Sequence, residues 1–403
     1  MDFNDTPEEA AFRAESRAWL EANAPKPGQA GRSEAELLKA AKAWQAKKAE
    51  AKFTCITWPA AYGGRGGTPL QQVIFNQEEA KFDPPRGFFE IGLGMCLPTV
   101  MAFANEETKQ RFVGPALRGE EVWCQLFSEP AAGSDVAGLR TKAVREGDEW
   151  VINGQKVWTS GAHYCDFGIL LVRTNPDVPK HKGLTMFWID MKAPGVTVKP
   201  IHQMSGGSNF NEVYFDNLRV KDSQRLGEPG QGWNVALVTL MNERLAVGGS
   251  TGPGWRDALS LARSTASGES SALEDPAFRA KLADWYVQAE GLKLTRFRTM
   301  TALSRGQTPG PESSIGKIIS ANQLQELTHE AMDLMDQYGI LSGTDEAPMQ
   351  AMFQQSTMWA PGLRIAGGTD EILKNIIAER VLGLPGDVRV DKDTAFKDLP
   401  TGL

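Results

Sequence analysis

The chain has 403 residues, more than one ordinary domain holds, so two or three are expected. Hydrophobic residues make up 41% and charged residues 23%, the composition of a water-soluble globular chain with a large core. Lys and Arg number 43 against 50 Asp and Glu, and a formal charge of −7 speaks against a nucleic-acid surface, which needs a net basic face.

The first 120 residues read as helical. Thr6-Pro7-Glu8-Glu9 sets a capping hydroxyl, a proline for the first helical position and a reciprocal carboxylate in order; Ser33 with Glu36 and Thr68-Pro69 with Gln71 repeat the arrangement. Apolar residues at helical spacing follow, as in Phe12, Trp19, Leu20 and in Leu70, Val73, Ile74. The longest apolar stretch, around Phe88 to Ala104, is broken by Glu90 and Pro98. A membrane-spanning helix wants about 20 uninterrupted apolar residues, so this stretch reads as a buried helix and no membrane partner is expected. Asn105 caps a further helix ending near Gly119.

From Glu121 to about Val220, β-branched and aromatic residues predominate. Trp150 to Trp158 encloses Asn153-Gly154, the dipeptide a two-residue hairpin turn prefers, so a turn is expected there. Short strands follow at Gly168–Arg173, Leu184–Asp190, Val196–Ile201 and Glu212–Phe215. With no crossover helices, an antiparallel sandwich or barrel is favoured over a Rossmann sheet. Helices return at Trp233–Ala262, Pro276–Ser304, Glu312–Tyr338 and Asp370–Leu382, enough for a bundle. Ser264–Glu274 reads as a loop, and the charged tail beyond Pro385 as peripheral. The expected fold is thus α+β and multidomain: an all-α N-terminal domain (1–120), an antiparallel β-sandwich or barrel (121–228), a C-terminal four-helix bundle (229–387) and a tail (388–403).

Cys55, Cys96, Cys124 and Cys165 are scattered, and no basic-then-apolar leader opens the chain, so a reducing cytoplasm without disulfides is expected. The four histidines lie far apart, which disfavours a metal site. No Gly-x-Gly-x-x-Gly or phosphate-binding Gly-x-x-x-x-Gly-Lys-Ser/Thr occurs. Two segments suggest chemistry. Trp123 to Asp135 gathers small and hydroxyl residues around Pro130, suited to a flat polar heterocycle. Gly367-Gly368-Thr369-Asp370-Glu371 puts glycines ahead of a helix N-terminus, where donors are free.

Taken in order, these segments resemble the acyl-CoA dehydrogenase family of flavoproteins over nearly the whole chain. The resemblance rests on Ser128-Glu129-Pro130-x-Ala132-Gly133-Ser134-Asp135, Gly147-Asp148 and Asn153-Gly154-x-Lys156-x-Trp158. It continues through Leu226-Gly227, Gly367-Gly368-Thr369-x-Glu371-Ile372 and Glu379-Arg380-x-Leu382-Gly383-Leu384-Pro385. It implies FAD between the β-domain and the bundle, an acyl-CoA substrate and an electron-transfer flavoprotein as acceptor. Phe127 and Ser128 then meet the pyrimidine side of the flavin, with Gln125 beside them. Gly133 and Ser134 contact flavin phosphate or the CoA portion, Trp158 packs on the flavin, and Ser160 stands near N5. Thr369 and Glu371 touch the cofactor from the bundle.

The resemblance also locates a base. Many members place a glutamate directly before the Gly-Thr pair, where this chain has Gly367, which offers only a backbone N–H to the thioester oxygen. A branch acting on long or branched chains takes the glutamate from the first bundle helix, in a Glu-Arg pair. Leu240-Met241-Asn242-Glu243-Arg244-Leu245 matches it, making Glu243 the expected base and Arg244 an orienting or CoA-side cation. Two family features are missing. Arg-x-x-x-Phe-Gly is replaced by Arg263 to Gly268, and Gln-x-x-Gly-Gly by Asp333-x-x-Asp336-Gln337. The adenine end of FAD is then held differently or by a dissimilar subunit, as in mixed tetramers of some bacterial members. A homo-oligomer, dimer or tetramer, remains equally open. Two other readings share the fold: a flavin monooxygenase or oxidase, and a non-catalytic partner subunit.

Overall fold

The computed structural model describes residues 5–26, 33–82, 84–246, 252–267, 270–304, 310–343, 345–389 and 391–400. The chain forms two compact units, one of residues 2–202, 208–246 and 388–403, the other of 203–207 and 247–387.

The first unit opens with helices α1 (Pro7–Asn23), α2 (Glu34–Glu50) and α3 (Pro69–Glu79). Each begins with the expected capping box; the Thr6 and Thr68 hydroxyls, for example, accept from the N–H of Glu9 and Gln71 at 3.3 and 3.2 Å. Their apolar faces meet in a cluster of Phe12, Leu20, Trp44, Phe53, Ile74 and Phe75. The buried stretch around Phe88–Ala104 is a π-helical turn, Gly92–Cys96, continued by α4 (Leu97–Phe103). Pro98 follows this π-helical turn directly, where the Leu97 N–H donates to the Gly92 carbonyl five residues back, so the helix meets the proline at a point where its hydrogen-bond register is already irregular. Asn105 caps α5 (Glu106–Leu117), accepting from the Thr108 N–H at 2.8 Å.

Eight strands follow in one sheet: β1 (Trp123–Leu126), β2 (Lys142–Glu146), β3 (Glu149–Ser160), β4 (Phe167–Arg173), β5 (Leu184–Asp190), β6 (Val196–Pro200), β7 (Phe210–Lys221) and β8 (Arg225–Leu226). Their order is β6-β7-β3-β2-β4-β5-β8, with β1 also on β4. Most pairs are antiparallel, but β1 and β2 run parallel to β4, so the sheet is not wholly antiparallel.

The hairpin expected at Asn153-Gly154 is elsewhere. Glu146 faces Glu149, so the β2–β3 turn is Gly147-Asp148, with Gly147 at φ +67°. β3 runs on through Asn153-Gly154 with a register shift against β7. The Asn153 side chain accepts the Asn217 N–H at 2.9 Å, and a Cβ on Gly154 would stand 2.5 Å from the Thr141 hydroxyl. The dipeptide therefore marks a bulge and a close approach between strands, tertiary demands that overrode its turn preference.

The helix expected over Trp233–Ala262 is two, α6 (Gly232–Ala246) and α7 (Trp255–Ser264), the second entered through Gly252-Pro253-Gly254 with Gly252 at φ +136°. α6 packs on α4 and β5: Val235 and Ala236 join Leu97, Val100, Leu184 and Met186 in the core, and the Thr239 and Thr99 hydroxyls bond at 2.8 Å.

The second unit holds α7, a short strand pair β9 (Ala266–Ser267) and β10 (Ser270–Ser271), α8 (Pro276–Ser304), α9 (Ser314–Met335), α10 (Met352–Leu363) and α11 (Asp370–Arg380). α7, α8, α10 and α11 all pack on α9, around Trp285, Leu327, Ala331, Met335 and Phe353. The segment expected as a bare loop, Ser264–Glu274, includes the β9–β10 pair. The tail, expected to be peripheral, instead bonds to the first unit through residues 395–397, because its backbone donors and the Phe396 ring find partners there.

Candidate active site

Topology makes the principal loop. β5 pairs with β4 along its whole length, so β1 and β2 share the other edge, β1 opposite Phe167–Leu170 and β2 at Arg173. Residues 127–141 must therefore leave the sheet between β1 and β2 and return. This detour carries Phe127, Ser128, Gly133 and Ser134.

Its position is fixed from β3. The Val157 N–H donates to the Ser128 carbonyl at 2.9 Å. The Lys156 ammonium donates to the Phe127 carbonyl at 2.9 Å and to Glu129 at 2.8 Å. Glu129 also accepts the Arg140 and Thr141 N–H groups at 2.6 and 3.0 Å. One buried carboxylate thus binds both ends of the detour.

Lys156 is fully buried, and burial pulls its pKa down to about 8 against the pull of Glu129. Burial raises Glu129, but the Lys156 charge and the hydrogen bonds outweigh it and hold the carboxyl below its ordinary value. At neutral pH both groups are ionised. Arg173, also buried, is lowered to about 10 by desolvation and donates to the carbonyls of Ala137, Leu139 and Lys180.

The loop presents little of its own bulk. The Phe127 ring is turned into the core, so only its backbone is available to a ligand. Ser128 is half-buried, while Gly133 and Ser134 are exposed, and a Cβ on Gly133 would meet nothing within 4 Å. Gln125, near the end of β1, is half-buried.

Beside Ser128, β3 bulges between Lys156 and Thr159. Trp158 sits in that bulge at φ +60°, in the left-handed region, with 57% of its surface exposed. A bulky residue there is strained, and such strain gathers at binding sites. Its ring meets Phe210 edge-on at 5.9 Å, leaving a face open. Ser160, opposite Phe210, is half-buried two residues on. An open indole face flanked by hydroxyl, amide and bare backbone groups fits a flat heterocycle with a polar rim.

The backbone of α6 extends through Glu243 and Arg244, whose side chains lie outside the described residues. Position 243 falls one turn beyond Thr239, which is fully buried.

Gly367, Thr369 and Glu371 lie in the second unit. Gly367 and Gly368 have φ of +64° and +91°, which only glycine adopts without strain. The Lys317 ammonium donates to the Gly368 carbonyl at 2.8 Å, and the Thr369 hydroxyl accepts the Ile372 N–H at 3.2 Å, capping α11 as expected. Asp370 is buried behind the cap, bonded by Arg364 and 3.6 Å from Lys317. Glu371 stays exposed, its carboxyl held below the ordinary value by its own backbone N–H and the Thr369 hydroxyl.

Three family models match in order along the chain: the acyl-CoA dehydrogenase N-terminal domain over residues 6–120, the middle domain over 124–218 and the C-terminal domain over 230–382. The chain belongs to the acyl-CoA dehydrogenase family. It is 36% identical to the acyl-CoA dehydrogenase IpdE1 of Mycobacterium tuberculosis, over 94% of this chain and 98% of that one. It is 40% identical to the acyl-CoA dehydrogenase FadE34 of the same organism over 81% of this chain, and that match spans only 44% of FadE34. Among solved structures, the ChsE4-ChsE5 complex from Mycobacterium tuberculosis superposes with a TM-score of 0.78 at 27% identity, covering 96% of this chain and all of that one (100%).

In this acyl-CoA dehydrogenase, sequence reasoning overlooked Lys156, Glu129 and Arg173 as the groups that fix the loop. The available signal was a lysine in phase with buried Trp150 and Ile152 along β3, on the inward side of the strand. Lys317, Arg364 and Asp370 behind the Gly367 turn were also overlooked. At the second of the two missing family features, Asp336 takes φ +47°, in the left-handed region that aspartate visits more readily than most residues.

Proposed function

We propose that this chain is an FAD-dependent acyl-CoA dehydrogenase that converts an acyl-CoA to its trans-2-enoyl-CoA and passes the electrons to an electron-transfer flavoprotein. The observation that carries the reading is the exposed Trp158 bulge bonded, through Val157 and Lys156, to the Phe127–Ser128 backbone. When bound, FAD supplies the acceptor for the hydride that leaves the substrate β-carbon.

The chain's own residues do the rest. Trp158 covers the flavin face, and Ser128, Gln125 and Ser160 offer hydrogen bonds to its rim. The Phe127 backbone lies along the same edge. Gly133 and Ser134 bring bare backbone to the phosphates or the CoA portion, and Thr369 and Glu371 contact the cofactor from the helical unit. Glu243 takes the α-proton. A carboxylate does this near neutral pH only if dry surroundings raise its pKa. Arg244 orients the CoA end, and the Gly367 N–H supports the thioester oxygen as charge develops there. With glycine rather than glutamate at 367, the pocket admits longer, branched or polycyclic acyl groups. The protein assembles as a homo-oligomer or, as the ChsE4-ChsE5 likeness supports, with a dissimilar subunit. Light scattering of the chain alone distinguishes the two.

Anaerobic titration with an acyl-CoA panel tests the proposal. Bleaching of the yellow flavin by long or branched acyl-CoAs is expected; a colourless protein, or preference for butyryl-CoA, contradicts the assignment or the proposed specificity respectively.

A further inference from the structure

The C-terminal tail reaches back to the loop that carries Gly133 and Ser134. The Phe396 N–H donates to the Val178 carbonyl and the Lys397 N–H to the Pro176 carbonyl, both at 3.0 Å, and Ala395 bridges Pro179. Lys180 pairs with Asp391 of the tail at 2.5 Å and with Asp135 of the loop at 2.8 Å, and only 12% of its side chain is exposed. The Phe396 ring lies over the buried Arg173 guanidinium, 3.4 Å from the ring centroid. Arg173 in turn donates to the carbonyls of Ala137 at 2.5 Å and Leu139 at 3.1 Å.

We propose that the tail is a positioning element for the ligand-binding loop, with Phe396 and Asp391 holding residues 135–139 and, through them, Gly133 and Ser134. The inference rests on the proposed role of Gly133 and Ser134 and extends it to a segment outside the three matched family domains. The physical argument has two parts. A ring on one face of a buried guanidinium keeps water from that cation, so its N–H groups stay on the loop carbonyls; a cation over a desolvated aromatic face is also favourable in itself. Lys180 adds a second link, because one ammonium is shared between loop and tail carboxylates in a half-dry setting. Neither Phe396 nor Asp391 needs to touch substrate. They act by restricting the loop before the ligand arrives, which raises affinity without altering the chemical step.

The test compares the wild-type holoenzyme with Phe396→Ala, Phe396→Tyr, Asp391→Asn and, as a control on the exposed Lys397–Asp177 pair, Lys397→Ala. Hydrogen exchange is followed in peptides covering residues 131–140, and steady-state kinetics are measured with the best acyl-CoA. Phe396→Ala is expected to speed exchange across the loop about tenfold. It should raise KM for acyl-CoA roughly tenfold while leaving kcat within about twofold, the pattern of lost binding rather than lost chemistry. Asp391→Asn should move both readouts in the same direction, Phe396→Tyr should restore the wild-type values, and Lys397→Ala should change neither. Unchanged loop exchange in Phe396→Ala, or a fall in kcat at constant KM, overturns the proposal. If no acyl-CoA reduces the wild-type flavin, the proposed activity fails, while the exchange measurement still decides whether the tail holds the loop.

Discussion

Replacing Lys156 by methionine should destabilise the β-domain strongly, and the size of the effect follows from what remains. Methionine fills most of the volume of a side chain that is fully buried. Glu129 keeps the Arg140 and Thr141 N–H groups but loses its only counter-ion within hydrogen-bonding distance among the described residues. Stranding one charge of a buried pair costs about 3–5 kcal/mol. The orphaned Phe127 carbonyl adds about 1 kcal/mol, and the relief of burying the ammonium, visible in its pKa of about 8, offsets part of the sum. A net loss of about 3 kcal/mol corresponds to roughly 6–12 °C in the melting of the whole first unit that contains the sheet. Calorimetry with simultaneous flavin fluorescence should show that shift, with flavin released early because the Ser128 loop is freed. The double variant with Glu129→Gln removes the stranded charge and should recover about half the loss. A single-variant shift under about 2 °C with full flavin content would falsify the claim that this pair fixes the loop.

Acid should weaken the same unit. The Glu129 carboxyl is held below its ordinary 4.5, so its contribution is complete above that value and is lost as pH falls through the lower folded value; Glu129→Gln should flatten the acid limb of a Tm-versus-pH curve. Trp158→Ala removes a mostly exposed ring, so Tm should change little. Flavin affinity should fall about tenfold, as lost aromatic stacking implies, and apoprotein titration monitors it; unchanged affinity denies the ring a role. Thr369→Ala removes the hydroxyl that caps α11 and should cost about 1 kcal/mol in urea unfolding of the helical unit, whereas Thr369→Ser should be near neutral.

Local chemistry was the legible part of the sequence. Thr6, Ser33, Thr68, Asn105 and Thr369 all cap helices where their own neighbours predict it, because a cap is decided within four residues. Asn153-Gly154 misled because Thr141 and Asn217, remote in sequence, set its conformation. α10 escaped notice because Pro361 and Gly362 look like breakers, yet the helix runs through Pro361 without that residue's i→i−4 hydrogen bond and ends two residues later at Leu363. The resemblance named the loop at Ser128, but no spacing in the chain announces that Lys156 and Glu129 meet beneath it. That contact follows only once β1 and β2 share an edge of β4.

Stopped-flow reduction of Glu243→Gln under anaerobic conditions tests most directly which carboxylate takes the substrate's α-proton. With FAD retained, flavin bleaching should slow by about 10²–10⁴-fold, the usual worth of a placed base. Reduction at the wild-type rate would place the base elsewhere and contradict the mechanism.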